Sequence, residues 1–141
     1  MIKKIAVILV FVFITSAHVS AQENKNVEIF DISKEKVIRE LPSTPSIQKE
    51  AQNYLKGITS IYIKLKPIPD KGYMVKIPLE PPAAIQNQWV SSLADEVIII
   101  FPAGEKPYLM IFDTENKLTF FNFEGKTDVL LKELNLIPNI P

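Results

Sequence analysis

Val97-Ile98-Ile99-Ile100-Phe101 is the stretch on which the fold turns. It is a short, unbroken apolar run rich in β-branched residues. Such a run reads as a strand covered on both faces. Ala103-Gly104-Glu105-Lys106 follows as a turn, and Tyr108-Leu109-Met110-Ile111-Phe112 is a second unbroken run. Asp113 to Lys117 makes another turn before Leu118-Thr119-Phe120-Phe121-Asn122-Phe123. Short loops between strands require antiparallel neighbours, so these residues form a three-strand meander. The Phe120-Phe121 step places bulky aromatics on both faces, as a two-sided core needs. On an edge strand the same step would suit strand addition.

Upstream, Thr44 is a good N-cap and Pro45 suits the first helical position. Ile47, Ala51, Tyr54, Leu55 and Ile58 fall on one helical stripe, and Gly57 can close the helix in the left-handed conformation. Ser60 to Lys66 then alternates, with Ile61, Ile63 and Leu65 against Tyr62, Lys64 and Lys66. Tyr73, Val75, Ile77 and Leu79 alternate in the same way after the turn cluster from Pro67 to Gly72. Period two predicts two half-buried strands joined as a hairpin, the second lying at an edge or ending at Pro78, which cannot donate to a ladder. Glu80 to Ala94 is open between an irregular loop and a short helix through Ile85, Trp89 and Leu93. Val27 to Ile32 reads as a first strand, and Val37 to Leu41 as a second extended piece, with a helix over Ser33–Leu41 as the alternative. Thr127 or Asp128 caps a last helix through Leu130, Leu131 and Leu134.

The expected fold is α+β: an antiparallel sheet, made of the hairpin and the three-strand meander, with one or two helices packed on it. Strands buried on both faces need two covers. The helices supply one, and the Trp89 segment or a partner supplies the other. In architecture alone, a helix over a hairpin and a meander resembles cystatin-like and PepSY-like exported domains. No motif of either family is matched, so the resemblance implies no residue's role.

Lys3 and Lys4, the apolar run Ile5–Ile14 and the small residues ending Val19-Ser20-Ala21 have the order of an export signal cleaved after Ala21. A retained membrane anchor is the alternative, but about 20 apolar residues are needed to span a bilayer. Residues 1–21 are thus expected to be a signal peptide, 22–26 a lead-in, 27–137 a single domain and 138–141 a tail. Removal of 21 of the 141 residues leaves 120, with 14 basic side chains against 16 acidic. That balance argues against nucleic acid as a partner, and membrane contact is expected only transiently, through the signal.

His18, in the leader, is the only histidine, and the chain has no cysteine. The processed chain therefore lacks imidazole and thiol nucleophile systems, the common zinc ligands and thiol redox chemistry. Four glycines form no phosphate-cradling loop. No cofactor is expected. Ser46 and Lys49 match the Ser-x-x-Lys spacing of serine acyl-enzymes, but Ser33 and Lys36 match it too, and the companion motifs are missing. Asp113-Thr114-Glu115-Asn116 resembles the start of a calcium loop, without the glycine and distal glutamate that complete one. Asp95-Glu96 is the only adjacent acidic pair, and strand neighbours point to opposite faces.

Two positive signals remain. Pairing of the hairpin would gather Tyr62, Lys64, Lys66, Met74 and Lys76 into a basic, partly aromatic patch suited to a protein or an anionic envelope polymer. Trp89, the sole tryptophan, is a candidate loop anchor. The expected function is an exported, non-enzymatic binding protein of the cell envelope or extracellular space. The alternatives are an inhibitor of an extracellular hydrolase, by an edge strand or a loop, and a carboxylate-dependent glycan-active enzyme.

Overall fold

The computed structural model describes residues 26–136. The leader, the cleavage position at Ala21 and the tail lie outside them. Nine elements follow in order: β1 Asn26–Asp31, β2 Lys36–Pro42, α1 Pro45–Lys56, β3 Ile58–Ile61, β4 Gly72–Gln86, β5 Ser91–Pro102, β6 Tyr108–Phe112, β7 Leu118–Phe123 and α2 Asp128–Glu133. The fold is α+β. All seven strands form one antiparallel sheet in the order β2-β1-β4-β5-β6-β7-β3.

β5 is the middle strand, and Val97 to Pro102 are buried without a break. Val97, Ile99 and Phe101 face the helices, with Val75, Ile77, Leu109, Ile111 and Phe121. Ile98 and Ile100 face the other way and form a smaller cluster with Tyr108 and Met110. Phe121 and Phe120 divide between the same two clusters, as a two-sided core requires. β7 is not an edge, because β3 pairs with it.

Helix α1 forms where the sequence places it. Thr44 Oγ accepts from the Ile47 N–H at 3.2 Å and donates to Glu133 in α2. Ile47, Ala51, Tyr54 and Leu55 are the buried stripe. Gly57 closes the helix, but at φ −89° rather than in the left-handed region. Its role is close approach: a Cβ there would lie 2.3 Å from the Glu124 carbonyl oxygen.

The hairpin between Ser60–Lys66 and Tyr73–Leu79 does not form. β4 already has β1 on one side and β5 on the other. β3 ends at Ile61 and pairs with β7 at the far edge of the sheet. The reason is topological. α1 carries the chain from β2 at one edge to β3 at the other, across the helical face. To reach β4, residues 62–71 must return across β7, β6 and β5 on the opposite face. Tyr62 and Ile68 accordingly pack on the Ile98, Ile100, Tyr108 and Met110 cluster. This loop, not Trp89, is the second cover.

Two further expectations change. β4 is interior, and Pro78 is tolerated because pairing with β1 ends at Lys76. Glu80 to Ala94 is neither helix nor irregular loop. β4 and β5 run through it as one long hairpin, with a register shift between Pro78 and Ala83. Its turn is closed by the Asn87 carbonyl oxygen of the side chain, which accepts from the N–H groups of Trp89 and Val90 at 2.9 Å each. Trp89 packs part-buried on the helix-side core. At this shift Gln48 of α1 bonds to the main chain of β4. Its amide donates to the Pro78 carbonyl at 2.6 Å and to Ser43 Oγ at 2.8 Å, and accepts from the Glu80 N–H at 3.1 Å.

Both sheet edges are blunted. β3 is four residues long, and β2 carries Lys36, Arg39 and a bulge opposite Ile29 and Phe30. Removing the Gln48 amide takes three hydrogen bonds from the bend. Gln48→Ala is therefore expected to destabilise the domain by about 1–3 kcal/mol in urea unfolding. A change under about 0.5 kcal/mol, within the range of ordinary surface substitutions, would show that the bend does not need the clamp.

Candidate binding loop and cleft

Residues 62–67 alternate between tied and presented side chains. The Tyr62 N–H continues the β3–β7 ladder to the Phe120 carbonyl at 2.9 Å. The Tyr62 ring stacks on Tyr108, with centroids 4.0 Å apart and planes 8° from parallel. Lys64 Nζ lies 2.7 Å from Glu105 and 5.8 Å from the centre of the Tyr62 ring. Lys66 Nζ lies 2.6 Å from Asp70. The Tyr108 hydroxyl donates to the Pro67 carbonyl. Between these ties Ile63 is 87% exposed and Leu65 is 108% exposed.

The apolar face predicted to be buried is thus the face turned outward. The period-two signal is real, but no strand lies beneath it. These ion pairs are exposed and screened by solvent, so the aromatic stack and the part-buried Ile68 hold the loop more than the lysines do.

Beside the loop lies an open cleft of about 680 Å³, lined by Tyr62, Leu65, Pro69 and Tyr108 with Lys64, Lys66 and Lys71 at its rim. Burial pushes the Tyr108 hydroxyl well above the ordinary tyrosine range. Glu105, hydrogen-bonded to Lys64, holds that ammonium above the usual lysine range, and Lys66 holds the Asp70 carboxyl below the usual carboxylate range.

The five residues of the expected patch share one sheet face without sharing a hairpin. Tyr62 and Met74 touch the same apolar cluster. Lys76 stands opposite Ile98 in the next row, 2.5 Å from Glu28 and 4.0 Å from Glu96. Tyr62, Lys64 and Lys66 line the cleft, whereas Met74 and Lys76 do not. Three of the patch lysines are neutralised by carboxylates, which no strand periodicity announces. Glu105 and Tyr108 come from the far side of the meander turn, so sequence spacing gave no sign of them.

A second cleft, of about 540 Å³, collects Asp95, Glu96 and Asp113 with Leu93 and Phe112. Asp113 Oδ1 accepts from the Glu115 and Lys117 N–H groups at 2.8 Å each, as a turn carboxylate does. Among the described residues no group of three or more acidic, histidine or cysteine side chains is arranged to hold a metal ion. Ser46 and Lys49 lie in the first turn of α1.

Comparison of the chain with models of protein families, with curated proteins and with solved structures finds no match.

The Lys66–Asp70 tie has a defined pH window. A carboxyl whose folded pKa is depressed supports the folded loop above its unfolded value, about 3.9, and loses that support as pH falls through the folded pKa. The Asp70 carboxyl carbon is expected to titrate by NMR at a pH below that of the Asp70 carboxyl in an unstructured peptide of residues 66–72. Lys66→Met should return it to the peptide value. An unshifted Asp70 in the intact chain would contradict the tie.

Proposed function

We propose that this chain is a small exported protein of the cell envelope or extracellular space that works by holding a partner and not by catalysis. One observation carries the reading: Ile63 and Leu65 stand exposed on a loop whose Tyr62 and Lys64 are fastened to the body. An alternating apolar face normally encodes burial, and the described residues provide none for Ile63 and Leu65. The tied lysines favour a protein partner over an anionic envelope polymer, because Glu105, Asp70 and Glu28 already answer their charge. The contact surface comprises Ile63, Leu65, Tyr62, Lys64 and Lys66. Met74, Lys76 and Trp89 support the sheet and the β4–β5 turn. No cofactor and no nucleic acid enter this reading.

The tagged chain is expected to retain an envelope component that Ile63→Asp and Leu65→Asp each release by tenfold or more. Lys64→Glu and Lys66→Glu should weaken retention less, and Lys76→Glu least. Equal retention by every variant would remove the loop as the contact surface. Turnover of a substrate by the purified chain would end the non-enzymatic reading.

A second reading, a carboxylate-dependent hydrolase of glycans, has the second cleft in its favour, since Asp95, Glu96 and Asp113 meet there. It requires glycan turnover that Asp95→Asn or Glu96→Gln abolishes.

A further inference from the structure

We infer that residues 62–66 act as an inhibitory segment, entering the substrate cleft of an endopeptidase that prefers apolar side chains. This rests on the binding reading above and names the partner. Three features converge on it. First, Ile63 and Leu65 are presented two residues apart, with 87% and 108% of their surfaces exposed, while Tyr62 and Lys64 turn back to the body. Two apolar side chains at that spacing match alternate pockets of a cleft that binds a strand.

Second, beyond the Tyr62 N–H, no main-chain group of residues 63–66 has a main-chain partner among the described residues. A segment with free N–H and C=O groups suits a partner that completes a ladder with it. It does not suit the hydrocarbon interior of a membrane, where no water replaces the missing main-chain partners. Third, the segment is held before it binds. The Tyr62–Tyr108 stack fixes one end, and the Tyr108–Pro67 bond with Ile68 fixes the other. A loop ordered in advance loses less conformational entropy on association, which is what tight, substrate-like inhibition needs.

The specificity follows from charge. Lys64 turns back to Glu105, and the side chains carried furthest outward, Ile63 and Leu65, are apolar. A hydrophobic slot should accept them and an acidic lysine pocket should not.

The test is inhibition of chymotrypsin and subtilisin by the full chain, with trypsin alongside, and mass spectrometry of the loop after incubation. The expected result is inhibition of at least one of the first two, at least tenfold weaker inhibition of trypsin, and an intact loop. Leu65→Asp or Ile63→Asp should weaken inhibition tenfold or more, whereas Val129→Ser, an exposed apolar change on α2, should leave it unaltered. Because both loop side chains are exposed, these variants keep the fold, which circular dichroism verifies. Absence of inhibition, inhibition indifferent to both loop changes, or rapid cleavage between residues 62 and 67 would each overturn the inference. So would Leu65-dependent binding to phosphatidylglycerol vesicles without inhibition, which would assign the loop to a membrane. If proteases are ignored while Leu65-dependent retention of an envelope component persists, the inhibitor fails and the binding reading stands.

Discussion

A strand that is apolar on both faces must be covered twice. Val97 to Phe101 sit in the middle of seven strands, and every other feature of the molecule answers that need. The chain answers it with two crossings of the sheet. The first, α1, passes from β2 to β3 on one face and leaves Ile47, Ala51, Tyr54 and Leu55 in the core. The second, residues 62–71, returns from β3 to β4 on the other face and sets Tyr62 and Ile68 on Ile98, Ile100, Tyr108 and Met110. A large apolar side chain removed from water contributes about 1.5–3 kcal/mol, so neither crossing is optional.

The second crossing is a loop, and that is where structure passes into function. A helix covers a sheet with a whole stripe and hides its own main chain. A short loop covers with a few anchors and leaves the residues between them outside. Tyr62, Pro67 and Ile68 are the anchors; Ile63 and Leu65 are what lies between. The cleft beside them exists because the loop stands off the meander turn at Pro102 to Glu105. Covering the core and presenting a surface are therefore the same geometric act.

The meander, both helices and the two-sided placement of Phe120 and Phe121 were legible in the sequence, because each rests on local periodicity and caps. So were β1 and β2, for which the extended reading held over the helical one. What was misread was the pairing of residues 60–66 with 73–79 and the path of residues 80–94, for two separate reasons. Period two at Ile61, Ile63 and Leu65 signals a strand but not which strand it would pair with, and β4 had no free side over Tyr73 to Lys76. The long β4–β5 hairpin was hidden by Pro78, Pro81 and Pro82, which read as breakers. The Gln48 clamp, which makes the bend at these prolines tolerable, lies thirty residues earlier in the chain. Glu105 and Tyr108 reach the cleft through the same long-range geometry. Trp89 was expected to cover the sheet's open face. It lies instead at the β4–β5 turn on the helix side, a position that only the length of those strands determines.

Amide hydrogen exchange of the intact chain, resolved by residue, bears most directly on this account. Slow exchange is predicted at Val75, Ile77, Ile99 and Leu109 within the ladders, with rapid exchange at Ile63, Lys64, Leu65 and Lys66 on the returning loop. Protection of residues 63–66 matching that of residues 73–79 would mean that the two segments pair as a hairpin, that Ile63 and Leu65 are buried, and that the surface described here does not exist.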